Sequence, residues 1–481
     1  MAVSVHVLFT RAQVIDGTGE PRFVADVAVK DDTIVAVGDL SDTRAGIVID
    51  AHDRALTPGF IDTHTHDDCA LLANPDMAMK ASQGVTTVVA GNCGASLAPL
   101  VAEHVPAPLN LIGRDNPGQW YRFEKFTDYL SALEQEPPAV NAICLVGHMT
   151  LRVRCMERTD RAATAAEVKA MRGLLDESLA AGAAGLSTGL EYEPNRCATI
   201  DEVIDVAGAL SDRGGVYASH MRSEGDAIIE ALDETFEIGR SCDVPVVVSH
   251  FKCYGERNFG RSDEILGHLC AASAKQRVGF DVYPYSAAST ILEQREIQGV
   301  DRVVITGSVP HPETAGRDLN DVAREWGVSR EQAVDRLKPA GATYYGMHED
   351  DVRRILSHPE GMVGSDGIPE DDLPHPRLWG TFVRVLGHYC RDEQLFPLEE
   401  AVRKMTSLPA RRFGLERRGI IAPGNFADLV LLGPDTVADT ATYEAPKSPA
   451  AGIDLVMVNG RAVWRAGETT GERSGMVLRR H

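Results

Sequence analysis

The sequence predicts an α/β protein: a (β/α)8 barrel of the TIM type, a small β-sandwich made from the two ends of the chain, and an inserted lid after the seventh barrel strand. Three observations lead there. Both ends carry short β-rich runs broken by turn residues. The middle alternates β-rich runs with helical patterns, and there are eight such runs. Residues able to bind a metal recur just after those runs.

At 481 residues the chain exceeds the size at which one hydrophobic core stops growing, so more than one structural unit is expected. Near the start, HVLFTRAQVIDG, FVADVAVKDD and TIVAVGD read as successive antiparallel strands, with Gly17-Thr18-Gly19 and Asp31-Asp32 as turns. From about 417, GIIAPGNFADLVLLG and IDLVMVNGRAVWRAG have the same texture. Neither piece is long enough for a core of its own, so residues 1–58 and 416–481 are expected to pair on the flank of a barrel spanning 59–415.

The barrel strands begin with GFIDTH, VTTVVAG (85–91), NAICLVGH (141–148) and GLSTGL (185–190). They continue with VYAS (216–219), VPVVVS (244–249), VGFDVYPY (278–285) and MVGS (362–365). Amphipathic helices such as TAAEVKAMRGLLDESLAAG and TIDEVIDVAGALSDRG separate them, the second with Thr199 as its N-cap. An open doubly wound sheet is the alternative architecture. Residues 286–345 are too long for an unstructured loop in a compact domain, so they are expected to form a lid or subdomain beside the site.

Residues two apart on an extended strand face the same side, so His64 and His66 can close on one metal ion. Alone, His-x-His is a weak mark. In a barrel the active site gathers at the C-terminal ends of the strands, and there the other runs bring Cys93, His148, His220, His250 with Lys252, Tyr283, and Asp366. Each alone reads as a packing histidine, a small buried cysteine or a turn aspartate. Their recurrence at one end favours a metal site. His148 is open between ligand, partner to a ligand and loop anchor; Lys252 and Arg377 suit an anionic substrate.

The formal net charge of −22, spread along the chain, argues against nucleic acid or an anionic membrane surface as partner. Nine cysteines with no C-x-x-C spacing are no disulfide framework. There is no signal-peptide pattern and no apolar run of 18 residues, so a cytoplasmic protein is expected. Oligomeric state leaves no mark in the sequence.

PGFIDTHTHDD, QGVTTVVAGNCG, SHMRSE, VVSHFKC, YPYSAAST and GSDG…HPRLWG together resemble the amidohydrolase superfamily, and within it the N-acyl-D-amino-acid deacylases. The likeness extends to KMTSLPARRFGL and GNFADLVLL, and so spans nearly the whole chain. It implies hydrolysis of the amide of a small-molecule N-acyl-D-amino acid, with zinc as cofactor. Many amidohydrolases carry a carboxylated lysine after strand four; here that strand ends GLSTGLEYEP, without one. The resemblance assigns Cys93, His220 and His250 to a tight zinc site, with His64, His66 and Asp366 flanking a second, weaker or empty one. Cysteine and two histidines make a good zinc set. Asp366 is then the group that takes a proton from water and returns it to the leaving amine.

The same resemblance places Lys252, Tyr283 and Arg377 around the substrate α-carboxylate; Tyr192, Ser289 and His148 are further candidate substrate contacts. Arg295 and Glu296 stand where relatives acting on D-glutamate derivatives carry an arginine; Tyr344 and Met347 match an apolar side-chain pocket. Neutral, apolar side chains are therefore favoured over D-glutamate. The alternatives are a cyclic-amide hydrolase of hydantoinase or dihydropyrimidinase type, and, from another class, a non-catalytic interaction protein of the same fold. The full ligand set counts against the last.

Overall fold

In the computed structural model, which describes residues 4–112 and 117–480, the two ends of the chain meet in one sheet. Five strands come from the N-terminal end (Ser4–Val14, Phe23–Lys30, Thr33–Gly38, Arg44–Asp50 and Ala55–Pro58). Four come from the C-terminal end (Leu429–Leu432, Ile453–Val458, Arg461–Arg465 and Glu468–Thr469). The junction is the antiparallel pairing of Leu429–Leu432 with Ala55–Pro58. Hydrogen bonding joins the nine strands as one sheet rather than the two of the expected sandwich. The reason lies in Ser4–Val14, which pairs with three neighbours and breaks register between Phe9 and Ala12. Arg11 there has φ +58°, a bulge that turns the strand from one neighbour to the next. Phe9, Val27, Leu56, Leu429 and Leu455 bury into a shared core, so the ends stabilise each other.

The middle of the chain is α/β. Each of the eight expected runs holds a strand, and the strands are parallel. Phe60–Asp62, Val85–Ala90 and Asn141–Cys144 form one sheet. Val146–Gly147, Gly185–Gly189, Val216–His220, Val246–Val248, Val278–Val282 and Gly361–Val363 form the other. The ladders do not merge into one continuous sheet, but hydrogen bonds cross both seams. Leu145 N–H donates to the Ala90 carbonyl at 2.9 Å, and Thr63 Oγ1 donates to that of Val363 at 2.9 Å. Helices cover the outside. Thr164 and Thr199 cap Ala165–Ala180 and Ile200–Arg213, each accepting from a backbone N–H three residues on. Among the described residues no helix is long and apolar enough to cross a membrane.

The segment after the seventh parallel strand is a unit of its own. Strands Ala288–Ile291, Val303–Ser308 and Ala340–Tyr344 form an antiparallel sheet covered by helices Leu319–Trp326 and Arg330–Leu337. Ile305, Val322, Val334 and Leu337 make a small separate core there. Its first strand carries Ser289 and Thr290 to the rim of a cavity at the mouth of the parallel strands.

Candidate active site

The cavity at the C-terminal ends of the parallel strands measures about 300 Å³. His66, Cys93, His220, His250 and Asp366 line it. His64 is fully buried just beneath. Cys93, His250 and Asp366 have φ of +52°, +37° and +50°, a left-handed backbone uncommon for residues with a Cβ. Such conformations cost of order 1–3 kcal/mol each and persist where the surroundings impose them. Here each turns a side chain back over the strand ends. Gly94 follows Cys93 because a Cβ would stand 2.8 Å from the Gly189 nitrogen, where the loop passes the end of strand Gly185–Gly189.

The Cys93 Sγ is central. His64 Nε2 lies 3.2 Å from it and His250 Nε2 lies 3.4 Å from it. One oxygen of Asp366 is 3.4 Å from His64 Nε2 and 3.3 Å from His66 Nε2. Donor atoms of His64, Cys93, His250 and Asp366 all fall within 4.8 Å of one another. Carboxylates stand against three of the histidines. His64 Nδ1 is 3.2 Å from Asp281, His250 Nδ1 is 2.7 Å from Glu224, and His220 Nε2 is 3.0 Å from Glu191. His220 Nδ1 is left buried with no hydrogen-bond partner. A buried nitrogen without a partner, a thiol and imidazoles each oriented from behind by a carboxylate are the donor set of a zinc site. The atoms group differently from the two sites expected: His64 stands with Cys93 and His250, while His220 groups with Glu224 and His250.

The electrostatics agree with a site built for a cation. Burial alone would raise the Cys93 thiol, but His64 and His250 bring it well below its ordinary value. Burial would likewise raise Asp366, yet the Arg377 guanidinium, with His64 and His250, holds its carboxyl well below the usual carboxylate range. Behind His64, Lys80 is fully buried and bonds Asp62 at 2.8 Å and Ser365 Oγ at 2.8 Å. Asp62 accepts from the backbone N–H of His64 and of Ser365. The lysine thus ties the end of the first strand to the end of the last, and so His64 to Asp366.

The expected substrate contacts divide. Arg377 is not free: it pairs with Asp366 at 2.9 Å, donates to the Ser289 carbonyl at 2.8 Å and lies over the Tyr283 ring at 4.6 Å. Lys252 is also paired, with Glu224. Tyr192, Ser289, Tyr344, Arg295 and Glu296 line the cavity. The Tyr192 ring packs 4.7 Å from that of His220, and the Ser289 hydroxyl is buried without a partner. Arg295 donates to the Glu191 carbonyl and pairs with Glu296 at 3.0 Å. Burial and the neighbouring Glu191 push Glu296 up to about 8, against the pull of Arg295. Met347 stands behind Tyr283, whose hydroxyl reaches its sulfur at 3.6 Å, rather than on the cavity wall.

His148 stands apart from the other expected site residues. It does not line the cavity. It opens the helix His148–Cys155, and its side chain is buried 3.5 Å from Glu202, the carboxylate that Arg152 binds one turn on. Burial and the nearby guanidinium lower it to about 3, so it is a neutral packing residue. Conversely, Glu191, Glu224, Asp281 and Lys80 escape sequence reading. The signals for them are slight. Asp281 lies two residues before Tyr283 on one strand, and Lys80 is a lone cation in the apolar stretch MAMKA.

The sequence profile described as the amidohydrolase family matches residues 47–464. A D-aminoacylase of Alcaligenes xylosoxydans xylosoxydans is 54% identical over 98% of this chain and 97% of its own length. A crystal structure of D-aminoacylase, described as defining a novel subset of amidohydrolases, superposes with a TM-score of 0.97 at 54% identity, covering 99% of this chain and 100% of that one. An N-acyl-D-glutamate deacylase from Bordetella bronchiseptica, complexed with zinc and a phosphonate mimic of the tetrahedral intermediate, superposes with a TM-score of 0.95 at 44% identity. It covers 99% of this chain and 100% of its own.

Proposed function

The chain belongs to the amidohydrolase family, and from that premise we propose that it hydrolyses the amide bond of N-acyl-D-amino acids, using zinc, to a carboxylate and a free D-amino acid. The observation that carries the reading is the cluster of Cys93, His64, His250 and Asp366 at the strand ends, with His220 Nδ1 turned in unpartnered. The D configuration is that of the substrates for which the similar deacylases are named. On this reading the two parallel sheets act as one (β/α)8 barrel over residues 59–415. The insertion at 286–345 is its lid, and residues 1–58 and 416–481 are the flanking unit.

Cys93, His220 and His250 would hold the zinc, with His64 and His66 beside them. When bound, zinc polarises a carbonyl and lowers the pKa of water to about 7. Asp366 takes the proton from the attacking water and delivers it to the leaving nitrogen, and His64 and His66 hold it at the centre of the cluster. Tyr283, flanked by Lys252 and Arg377, orients the α-carboxylate, and so the scissile amide. Both cations reach the substrate already neutralised in part, Lys252 by Glu224 and Arg377 by Asp366. Just past strand four, which ends at Gly189, stands Glu191 and no lysine, which disfavours the cyclic-amide alternative.

Side-chain preference turns on Arg295 and Glu296. Arg295 donates to the Glu191 carbonyl and lies against Glu296, so it is held away from an acidic side chain in the cavity. Tyr192, Ile112 and Pro108 supply apolar wall. Release of free amine from N-acetyl-D- and N-acetyl-L-amino acids tests both points. Turnover is expected on D-substrates with apolar side chains, at least about tenfold above N-acetyl-D-glutamate, equivalent to about 1.4 kcal/mol of discrimination. Because Glu296 gains its charge as pH rises through about 8, the ratio of N-acetyl-D-lysine to N-acetyl-D-methionine turnover should climb across that range. Equal turnover of both enantiomers, or turnover of a hydantoin alone, would sink the assignment.

A further inference from the structure

His250 is the metal-cluster histidine with an ammonium against its rear nitrogen. Its Nδ1 lies 2.7 Å from the Glu224 carboxylate and 2.8 Å from Lys252 Nζ, while Lys252 Nζ also bonds Glu224. Asp281 stands against His64 and Glu191 against His220, and neither carboxylate pairs with a lysine among the described residues. We propose that Glu224 is a positioning residue that fixes the metal-competent tautomer of His250 against Lys252. The proposal rests on the zinc reading of the Cys93 cluster.

Counting protons gives the reason. A neutral imidazole has one N–H and one lone pair. An ammonium only donates and a carboxylate only accepts. If Nδ1 donates to Glu224, the proton stays on Nδ1, and the Nε2 lone pair, 3.4 Å from the Cys93 sulfur, is free to ligate. If Nδ1 instead accepts from Lys252, the proton moves to Nε2 and faces the cluster, where a metal cannot bind. Glu224 decides between the two in two ways. It takes the Nδ1 proton, and it draws the Lys252 N–H groups onto its own oxygens.

The geometry leaves little room for substitutes. The side chains of His250, Lys252 and Glu224 are 3%, 4% and 10% exposed, so the three groups are satisfied mainly by one another. Two loops hold them in place. Tyr254, on the loop of Lys252, donates its backbone N–H to the Glu224 carbonyl at 2.8 Å. The backbone N–H of His250 donates to Asp281 at 2.7 Å, in the left-handed conformation that aims its ring.

The test is zinc retained against a competing chelator, measured by mass spectrometry on purified full-length protein. The comparison runs across wild type, E224A, E224D, K252M and the double variant E224A/K252M. E224A is expected to bind zinc about 10- to 100-fold more weakly, the usual effect of losing a partner to a metal-bound histidine. E224D should recover part of that loss. The double variant should recover most of it, because no ammonium is left to claim Nδ1; a merely structural role would not predict that rescue. K252M alone should bind as wild type. Zinc binding by E224A equal to wild type, or a double variant no tighter than E224A, overturns the proposal while the zinc reading stands. A wild-type protein that retains no zinc overturns both. Should E224A not fold, E224M against E224M/K252M, which likewise lacks an acceptor at 224, carries the same comparison with the same two outcomes.

Discussion

Replacing Cys93 by alanine is expected to strip the protein of tightly held zinc and to reduce kcat/KM for its N-acetyl-D-amino acid by about 10³-fold or more. A bound metal supplies several kcal/mol of stabilisation to charge developing on a carbonyl, and each ~1.36 kcal/mol is a decade in rate. The effect is this large because the sulfur is shared. It lies within 3.4 Å of the inward nitrogens of both His64 and His250. Removing it leaves imidazoles and the Asp366 carboxylate around the centre and takes away the thiolate that offsets much of the metal's charge. Cys93→Ser should fare little better, since a hydroxyl holds its proton far more tightly than a thiol in the same surroundings. Zinc content by mass spectrometry and amine release on the same sample check the pair. A C93A protein that keeps both zinc and turnover removes the cysteine from the site.

Asp366→Asn is expected to behave differently: zinc retained, KM within a few-fold of wild type, and kcat down by about 10²- to 10⁴-fold, the range of a positioned general acid and base. Asparagine keeps the shape but takes up no proton at neutral pH. The structure sharpens the expectation, because Asp366 sits between His64 and His66 on one side and Arg377 on the other. If Asp366 were only a counter-charge for Arg377, the substitution would act on KM and stability more than on kcat. A kcat within about tenfold of wild type, with zinc bound, contradicts the proton-carrying role.

Much of this site is legible in the sequence because the strands announce themselves. Short apolar β-branched runs between amphipathic helices locate the eight strands, and the residues just after each run fall at one end of the parallel sheets. That logic brings His64, His66, Cys93, His220, His250 and Asp366 together from the pattern alone. It misleads at His148 for a definable reason. The strand there ends at Gly147 and His148 begins a helix, so its side chain follows helical geometry outward toward Arg152 and Glu202. It is silent on pairing. Lys252 and Arg377 read as free cations until the fold sets Glu224 and Asp366 against them from other loops. Glu191, Glu224 and Asp281 look like ordinary turn or strand residues, since their meaning comes from the histidine each one meets across the sheet. The single sheet at the chain ends is hidden likewise, because the bulge at Arg11 depends on three neighbours that a one-strand pattern does not show.

Deacylation at the Cys93 cluster is expected to depend on bound metal. The most direct measurement is amine release from N-acetyl-D-methionine by metal-free protein as zinc is added back, with N-acetyl-L-methionine alongside. Metal-dependent deacylation predicts no turnover without metal, activity rising in step with the first equivalent of zinc, and none on the L-enantiomer. Activity indifferent to zinc, or zinc bound stoichiometrically with no amine released from the D-substrate, would contradict it.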